Sequence, residues 1–263
     1  MIAGSSSAFA AGPTTAFFYG SPVPVVALSR YDRVIVEAEN LPQPGLLGAS
    51  GTLVFAYVSV GEAEGWRAST KELDARLFIG KNAPWESRIA DLTQPGWTNF
   101  LIEKRMAALW RQGYRAFFLD TLDSYQIPVK DQQAQALQAR ALANMIRSMH
   151  ARFPGVQLLL NRGFDVLPDI GHLAVGIAAE SLFRGWNPST KTYVTVDEPS
   201  RAWLTDKLRH AQARYGLPIT VIDYVSPQEP ELALDTARRI QALGFTPWVA
   251  TPALDTLSAA PTK

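Results

Sequence analysis

The stretch Arg115-Ala-Phe-Phe-Leu-Asp-Thr-Leu-Asp123 begins as an apolar run and ends with two carboxylates. Such a run is typical of a parallel β-strand that is buried on both faces. In a barrel of eight β/α units, the side chains that carry chemistry lie at the C-terminal ends of the strands. The stretch therefore predicts a buried barrel strand with acidic groups at its functional end.

Seven further segments have the same form, and nearly all of them close on a carboxylate, amide, hydroxyl or phenol. They span residues 16–19, 33–39, 53–62, 156–162, 173–181, 218–224 and 246–251. Eight runs in 263 residues fit one (β/α)8 TIM barrel, which typically needs about 250 residues. We predict an α/β protein with a flexible N-terminal segment (1–14), a single barrel domain (15–254) and a C-terminal tail or linker (255–263).

Helical signals appear between the later strands. Apolar residues recur at helical spacing in segments that start near proline or a capping residue and end near glycine. These segments are 93–110, 131–153, 198–215 and 227–243. The early connections, residues 22–31 and 41–51, are short and rich in proline, which predicts stunted first helices.

Composition argues against several classes of partner. The chain has 25 basic and 24 acidic side chains and a net charge of +1, so no polybasic surface indicates nucleic acid or anionic lipid. No apolar run approaches the ~20 residues of a membrane span. Cysteine is absent, and the three histidines, His150, His172 and His210, follow no strand run and have no ligand spacing. We therefore expect no disulfide, no thiolate metal site and no histidine-based metal site or catalytic triad.

The first residues leave two readings open. Ala8-Phe-Ala10 has the small-x-small form of a signal-peptidase site, but no basic region or sufficient apolar stretch precedes it. The segment is either the remnant of an export signal or a flexible tail of small residues.

Two acids stand out among the strand ends. Asp120 follows three large apolar residues in the fourth run, and Glu180 closes the apolar part of the sixth. A carboxylate at an apolar barrel mouth is costly unless it is paired or used. Two such groups flanking one opening can cleave a glycosidic bond, and their separation decides between retention and inversion. The alternative is that they are helix caps or ion-pair partners of Arg162 and Arg184.

The predicted mouth contains more acid than base. Acidic residues there are Glu37, Glu39, Glu62, Glu64, Asp123 and Asp223, while the basic ones are Arg67, Arg162 and Arg184. This surplus favours a neutral or cationic substrate. Aromatic residues at or just beyond the strand ends could stack on sugar rings or hold an ammonium group. They are Tyr19, Tyr57, Trp66, Tyr125, Trp186, Tyr224 and Trp248.

Four segments carry a family resemblance. They are Tyr57-Val-Ser-Val-Gly-Glu-Ala-Glu-Gly-Trp-Arg67, Gly113-Tyr-Arg-Ala-Phe-Phe-Leu-Asp-Thr-Leu-Asp123, Leu160-Asn-Arg-Gly-Phe164 and Ala179-Glu-Ser-Leu-Phe-Arg-Gly-Trp186. Together they resemble the hydrolase domains of glycoside hydrolase family 166, which act on the Pel biofilm polysaccharide. More distantly, the chain is similar to the endo-α-1,4-polygalactosaminidase-like barrels of family 114.

The resemblance implies a bacterial, periplasmic or secreted endo-glycosidase for α-1,4-linked galactosamine or N-acetylgalactosamine polymers, without metal or organic cofactor. By this resemblance the family's essential glutamate on strand six falls on Glu180 and its strand-four aspartate on Asp120. Our mechanistic hypothesis is that Glu180 acts as general acid/base and Asp120 as nucleophile, with Asp123 as the next candidate. We expect a monomer that works with exopolysaccharide biosynthesis proteins. The expected substrate-binding residues are Tyr19, Glu37, Tyr57, Ser59, Glu62, Asn161, Arg162, Trp186, Asp223 and Tyr224.

Two other functions remain as alternatives. A barrel of this kind could bind cationic amino-sugar polymers without cleaving them. A metabolic barrel enzyme would bind phosphate with glycine-rich loops after strands seven and eight. The corresponding stretches, Asp223-Tyr-Val-Ser-Pro-Gln228 and Ala250-Thr-Pro-Ala253, contain no glycine, which disfavours that reading.

Overall fold

The computed structural model describes residues 12–258, and its centre is a sheet of eight parallel strands. Each strand pairs with its neighbour in sequence. The last strand lies against the first, and the Tyr19 N–H donates to the Leu254 carbonyl at 2.6 Å, so the sheet forms a nearly closed barrel. The strands are β1 (Thr15–Phe18), β2 (Arg33–Val36), β3 (Leu53–Ser59), β4 (Ala116–Asp120), β5 (Gln157–Asn161), β6 (Ala174–Glu180), β7 (Ile219–Tyr224) and β8 (Thr246–Ala250).

This architecture confirms the predicted (β/α)8 TIM barrel, because each of the eight apolar runs overlaps one barrel strand. The predicted ends of three runs were three residues too late. β2 ends at Val36 rather than at residue 39, β3 at Ser59 rather than at residue 62, and β4 at Asp120 rather than at residue 123.

Helices connect the barrel strands on the outside. The longest begin close to the predicted starts, and Asp131 and Asp197 cap two of them by accepting the backbone N–H three residues on. The first two helices are single turns, as the prolines predicted. The α-helices are Val25–Leu28, Gly45–Gly48, Pro95–Asn99, Ala107–Arg111, Gln132–Arg152, Leu167–Ile170, Glu198–Tyr215 and Pro230–Ala242, and Phe100–Met106 is a π-helical stretch. The 3₁₀ turns are Ala68–Thr70, Ala75–Leu77, Ala83–Trp85, Ser124–Gln126 and Gly171–Leu173.

Two antiparallel additions extend the barrel mouth. Between β3 and β4, the strands Glu62–Glu64, Phe78–Asn82 and Ser87–Ala90 form a three-stranded sheet. After β6, Arg184–Asn187 and Thr192–Thr195 form a two-stranded sheet. Neither addition was predicted from the sequence.

Side chains on each barrel strand alternate between the interior and the surrounding helices. Rings in the interior contact one another, with centroids 5.2 Å apart for Phe17 and Phe118 and 6.2 Å apart for Tyr57 and Phe118. Two positions further along, on the same face, Tyr19 and Asp120 reach the mouth. Because of this alternation, every second side chain near the end of a strand points toward the opening.

The predicted terminal segments lie mostly outside the described residues, which exclude residues 1–11 and 259–263. Thr14, at the end of the predicted N-terminal segment, donates its backbone N–H and its hydroxyl to Asp32, at 2.8 and 2.7 Å. That residue is therefore held against the barrel. Within residues 12–258, no helix has the length and apolar character needed to cross a membrane.

Gly61 marks a very close backbone approach between the chain after β3 and the chain after β4. A Cβ at this position would lie 2.1 Å from the Thr121 carbonyl oxygen. The Gly61 N–H also donates to the Thr121 hydroxyl at 2.8 Å. Thr121 has a φ of 61°, a strained conformation for a β-branched residue that surrounding contacts must hold. Gly61 therefore fixes the residue that directly follows Asp120.

We expect Gly61→Ala to lower the free energy of unfolding by about 1–3 kcal/mol, because the new methyl group displaces backbone rather than a flexible side chain. Urea unfolding measures the change. Gly48→Ala is the matched control, since a Cβ there meets nothing within 4 Å and alanine restricts the unfolded chain more than glycine. Equal stabilities of the two variants would contradict the close approach at Gly61.

Candidate active site

A cavity of about 580 Å³ opens at the C-terminal ends of the barrel strands. Its walls contain all but one of the site residues predicted from the sequence, drawn from every strand end from β1 to β7 and from both antiparallel additions. These residues are Tyr19, Glu37, Tyr57, Ser59, Glu62, Asp120, Asp123, Asn161, Arg162, Glu180, Trp186 and Tyr224. The predicted residues that lie far apart in sequence thus share one site.

Asp120 and Glu180 meet through the amide of Asn161. Asn161 Nδ2 donates to Asp120 Oδ1 at 2.6 Å and to Glu180 Oε1 at 3.1 Å. The two acceptor oxygens therefore cannot be further apart than the sum of these distances, 5.7 Å. Asn161 Oδ1 is buried and has no partner among the described residues. The acids of β4 and β6 form a close pair, with an amide between them on β5.

Each acid of the pair also accepts a hydrogen bond from a tyrosine hydroxyl. Tyr57 Oη donates to Asp120 Oδ2 at 2.8 Å, and the Tyr224 hydroxyl donates to Glu180 Oε2. Burial, together with the nearby carboxylates, raises the pKa of both phenols well above its usual value. Tyr57 and Tyr224 therefore remain protonated donors that fix the orientation of the two carboxyl groups.

The pKa of Asp120 is raised to about 6. Burial is the main cause, and the negative charge of Glu180 adds to it, while hydrogen bonds from Asn161 and Tyr57 act in the opposite direction. As pH falls through about 6, Asp120 therefore takes up a proton and loses its charge.

Asp123 lies apart from this pair, at the rim of the cavity. Its Oδ2 is 3.9 Å from Arg162 Nη1, and its side chain is about half exposed. Arg162 follows β5 with a φ of 54°, and its guanidinium donates to the Glu180 backbone carbonyl. The left-handed backbone lets Asn161 and Arg162, although adjacent, both face the cavity.

Glu62 ties the added three-stranded sheet to the segment after β4. It is almost fully buried and accepts hydrogen bonds from Asn82, Ser87 and Ser124. The Ser59 hydroxyl donates to the Glu62 backbone carbonyl at 3.0 Å. The polar atoms of Ser59 and Glu62 are therefore engaged with the protein itself.

Arg67 gathers three carboxylates beside the cavity. It lies 2.7 Å from Glu37 Oε1 and 3.1 Å from Glu39 Oε1, and it also binds Glu64. Its guanidinium packs over the exposed ring of Trp66, 4.1 Å from the centroid. Burial raises the pKa of Glu37 to about 7, although Arg67 opposes the shift. Arg67 therefore holds several carboxylates together on one side of the cavity.

The structure places Asp223 outside the cavity, in contrast to the sequence-based assignment of substrate binding. Asp223 is fully buried, and its carboxylate accepts the backbone N–H groups of Leu182, Phe183 and Arg184 at 2.6, 2.8 and 2.9 Å. Tyr224 faces the cavity, so its neighbour on the strand must face the other way. Asp223 therefore holds the segment that follows Glu180.

From the added sheet, Glu62 and Glu64 were expected at the mouth, whereas Asn82, Trp85 and Ser87, which also line the cavity, were missed. Ser87-Arg-Ile-Ala90 shows no period-two alternation of apolar and polar residues, so the sequence offered no strand signal there. Within residues 12–258, no cluster of three or more histidine, aspartate or glutamate side chains could hold a metal ion.

Comparison with known proteins gives a consistent grouping. The model of glycoside hydrolase family GH114 matches residues 14–263. The glycoside hydrolase domain of PelA from Pseudomonas aeruginosa is 39% identical, with a TM-score of 0.86 over 94% of this chain and 98% of that chain. Ega3 from Aspergillus fumigatus, solved with galactosamine, shares the fold at 16% identity, with a TM-score of 0.67 over 96% of each chain. A comparison with curated proteins finds no match.

We expect Asp223→Asn to destabilise the protein by about 1–3 kcal/mol, because one acceptor oxygen is replaced by an NH₂ group facing backbone N–H donors. Urea unfolding gives the stability. Asp235→Asn, on the helix Pro230–Ala242 outside the cavity lining, is the control and should stay near the wild type. A wild-type stability for Asp223→Asn would show that the three backbone contacts contribute nothing.

Proposed function

The chain belongs to glycoside hydrolase family GH114, and on that premise we propose that it cleaves α-1,4-linked galactosamine and N-acetylgalactosamine polymers internally. The observation that carries the proposal is the carboxylate pair Asp120 and Glu180, held by Asn161 in an open cavity. The likeness to the PelA hydrolase domain, at 39% identity, supports a Pel-like polysaccharide as the substrate.

The charge of the cavity supports an amino-sugar polymer. Its lining contains one basic side chain, Arg162, and six acidic ones. Glu37 and Glu64 are paired with Arg67 beside the cavity, and the others are Glu62, Asp120, Asp123 and Glu180. Surplus negative charge in a cleft attracts cations, such as the ammonium group of galactosamine. Exposed Trp66 and Trp85 present ring faces on which sugars can stack. The cavity therefore suits a glycan that carries some free amines.

We assign Asp120 as the nucleophile and Glu180 as the general acid/base. Asp120 attacks the anomeric carbon while Glu180 gives its proton to the leaving glycosidic oxygen. The resulting glycosyl–enzyme ester is then hydrolysed by water, which loses a proton to Glu180 as the bond to Asp120 breaks. Asp120 is preferred over Asp123 because Asn161 and Tyr57 orient both of its oxygens, whereas Asp123 lies at the rim beside Arg162.

The short separation favours retention of configuration. Retaining enzymes hold their carboxyl groups about 5–5.5 Å apart, while inverting enzymes need about 6.5–9.5 Å to admit a water molecule. The nearest oxygens of Asp120 and Glu180 are at most 5.7 Å apart. This distance leaves room for a nucleophile but not for an intervening water.

Incubation with α-1,4-galactosamine oligomers of graded acetylation tests the function. We expect internal cleavage, seen as mid-sized products, and ¹H NMR should show the α-anomer forming first. The β-anomer first would overturn the nucleophile assignment. Binding without any release of reducing ends would instead favour a glycan-binding barrel.

The same assay identifies the catalytic pair. Glu180→Gln and Asp120→Asn should each lower turnover by at least about 10²-fold, since each removes a group that acts in the transition state. Asp123→Asn should lower it less than Asp120→Asn does. A reversed order for the two aspartates would move the nucleophile to Asp123. Unfolding curves of the variants control for loss of structure.

The pH dependence follows from the need for an ionised Asp120. Because its pKa is about 6, kcat/KM should fall as pH drops below about 6. Tyr57→Phe removes a hydrogen bond that lowers this pKa, so the acidic limb should move to higher pH by about one unit. Tyr125→Phe is the control, because that hydroxyl contacts Asp165 at 3.4 Å instead. If the acidic limb lies at the same pH in both variants, the hydrogen bond from Tyr57 does not lower the pKa of Asp120.

We also propose that the protein acts in the bacterial periplasm or outside the cell, as a monomer, alongside exopolysaccharide biosynthesis proteins. The likeness to a hydrolase domain of PelA supports this setting. Both carboxylates of the proposed pair and the Asn161 amide between them lie on the same chain, so the proposed chemistry needs no second copy.

A further inference from the structure

A second hollow of about 410 Å³ lies beside the active site, on the side of β5 and β6. Ser181, which follows Glu180, lines it together with Trp203, from the helix Glu198–Tyr215. Arg162 lines both this hollow and the central cavity. The two spaces are therefore neighbours that share a wall at the barrel mouth.

Trp203 presents a fixed aromatic surface at this hollow. The residue is 50% exposed, and its ring meets Phe164 edge to face, with centroids 6.0 Å apart. Single exposed apolar residues are common, so exposure alone indicates nothing. Here the ring is held from one side and lines a concave space, which is the arrangement that a sugar-stacking platform needs.

The position of the hollow suits a polymer that crosses the active site. Trp66 and Trp85 line the central cavity on the side of the addition between β3 and β4. Trp66 follows the first strand of that addition, and Trp85 lies between its second and third strands. The hollow lies beyond the strand ends of β5 and β6. The pair Asp120 and Glu180, on β4 and β6, belongs to the central cavity. A chain bound internally would extend past the pair in both directions.

The charge of the hollow differs from that of the central cavity. Its described lining contains Arg162 and no carboxylate, and Lys207 Nζ lies 6.0 Å from the Trp203 ring centroid. Asp123 lies 3.9 Å from Arg162 but lines only the central cavity, and Asp197 is occupied as the cap of the helix. An ammonium group would gain little here, whereas a neutral acetamido sugar brings no charge to repel.

We propose that this hollow, defined by Arg162, Ser181 and Trp203, is a distal subsite for a neutral, N-acetylated sugar unit of the same polymer. The proposal rests on the proposed function and deepens it. It implies that long chains gain affinity from a contact that short oligomers cannot reach, and that the acetylation of a remote unit influences binding.

The test compares kcat/KM for long and short N-acetylated galactosamine oligomers. Trp203→Ala should lower the long-to-short ratio about tenfold, the effect of losing about 1.4 kcal/mol of binding, while Trp203→Phe should restore part of it. Leu137→Ala, a change at a 51% exposed residue on the helix Gln132–Arg152, should keep the wild-type ratio. An unchanged ratio for Trp203→Ala would overturn the subsite.

A binding measurement separates the subsite from the catalytic proposal. In a Glu180→Gln background, calorimetry with the long acetylated oligomer should show about tenfold weaker binding when Trp203→Ala is added. If Trp203→Ala weakens binding in this way but the wild-type protein cleaves no oligomer, the hydrolase proposal fails and the subsite stands. Cleavage without a Trp203 effect in either assay would remove only the subsite. An equal Trp203→Ala penalty for deacetylated long oligomers would overturn its preference for a neutral unit.

Discussion

Two carboxylates that repel each other are held within hydrogen-bond reach of one amide nitrogen, and the rest of the site depends on that contact. Two unit charges at about 5 Å cost roughly 3 kcal/mol at an effective dielectric constant near 20. Asn161 donates to both Asp120 and Glu180, and Tyr57 and Tyr224 each donate to one of them. Neutral donors can offset this repulsion without quenching either acid, so both groups keep their chemistry.

The pair is positioned by residues that do not themselves face the substrate. On the β4 side, Gly61 approaches Thr121 so closely that no side chain fits. On the β6 side, buried Asp223 accepts three backbone N–H groups from the segment after Glu180. These contacts fix the backbone directly after each acid, on the side away from the cavity.

Much of the fold was readable because parallel barrel strands are apolar on both faces, and each of the eight runs became a strand. The added sheet of residues 62–90 was not readable in the same way. Its strands are three to five residues long, and partly exposed side chains interrupt any continuous apolar run. Trp85 and Asn82, which line the cavity from this sheet, were missed for that reason.

The sequence by itself determined the barrel and the acids at its strand ends, because strand length and apolar content are local properties of the chain. Asp223 and Tyr224 were both assigned to substrate binding, and the structure turned Asp223 away from the cavity, as the alternation of side chains along β7 requires. Only the tertiary structure decided that Asn161 joins Asp120 to Glu180. That contact joins three strands, and barrel closure, rather than any local pattern, sets the distances between them.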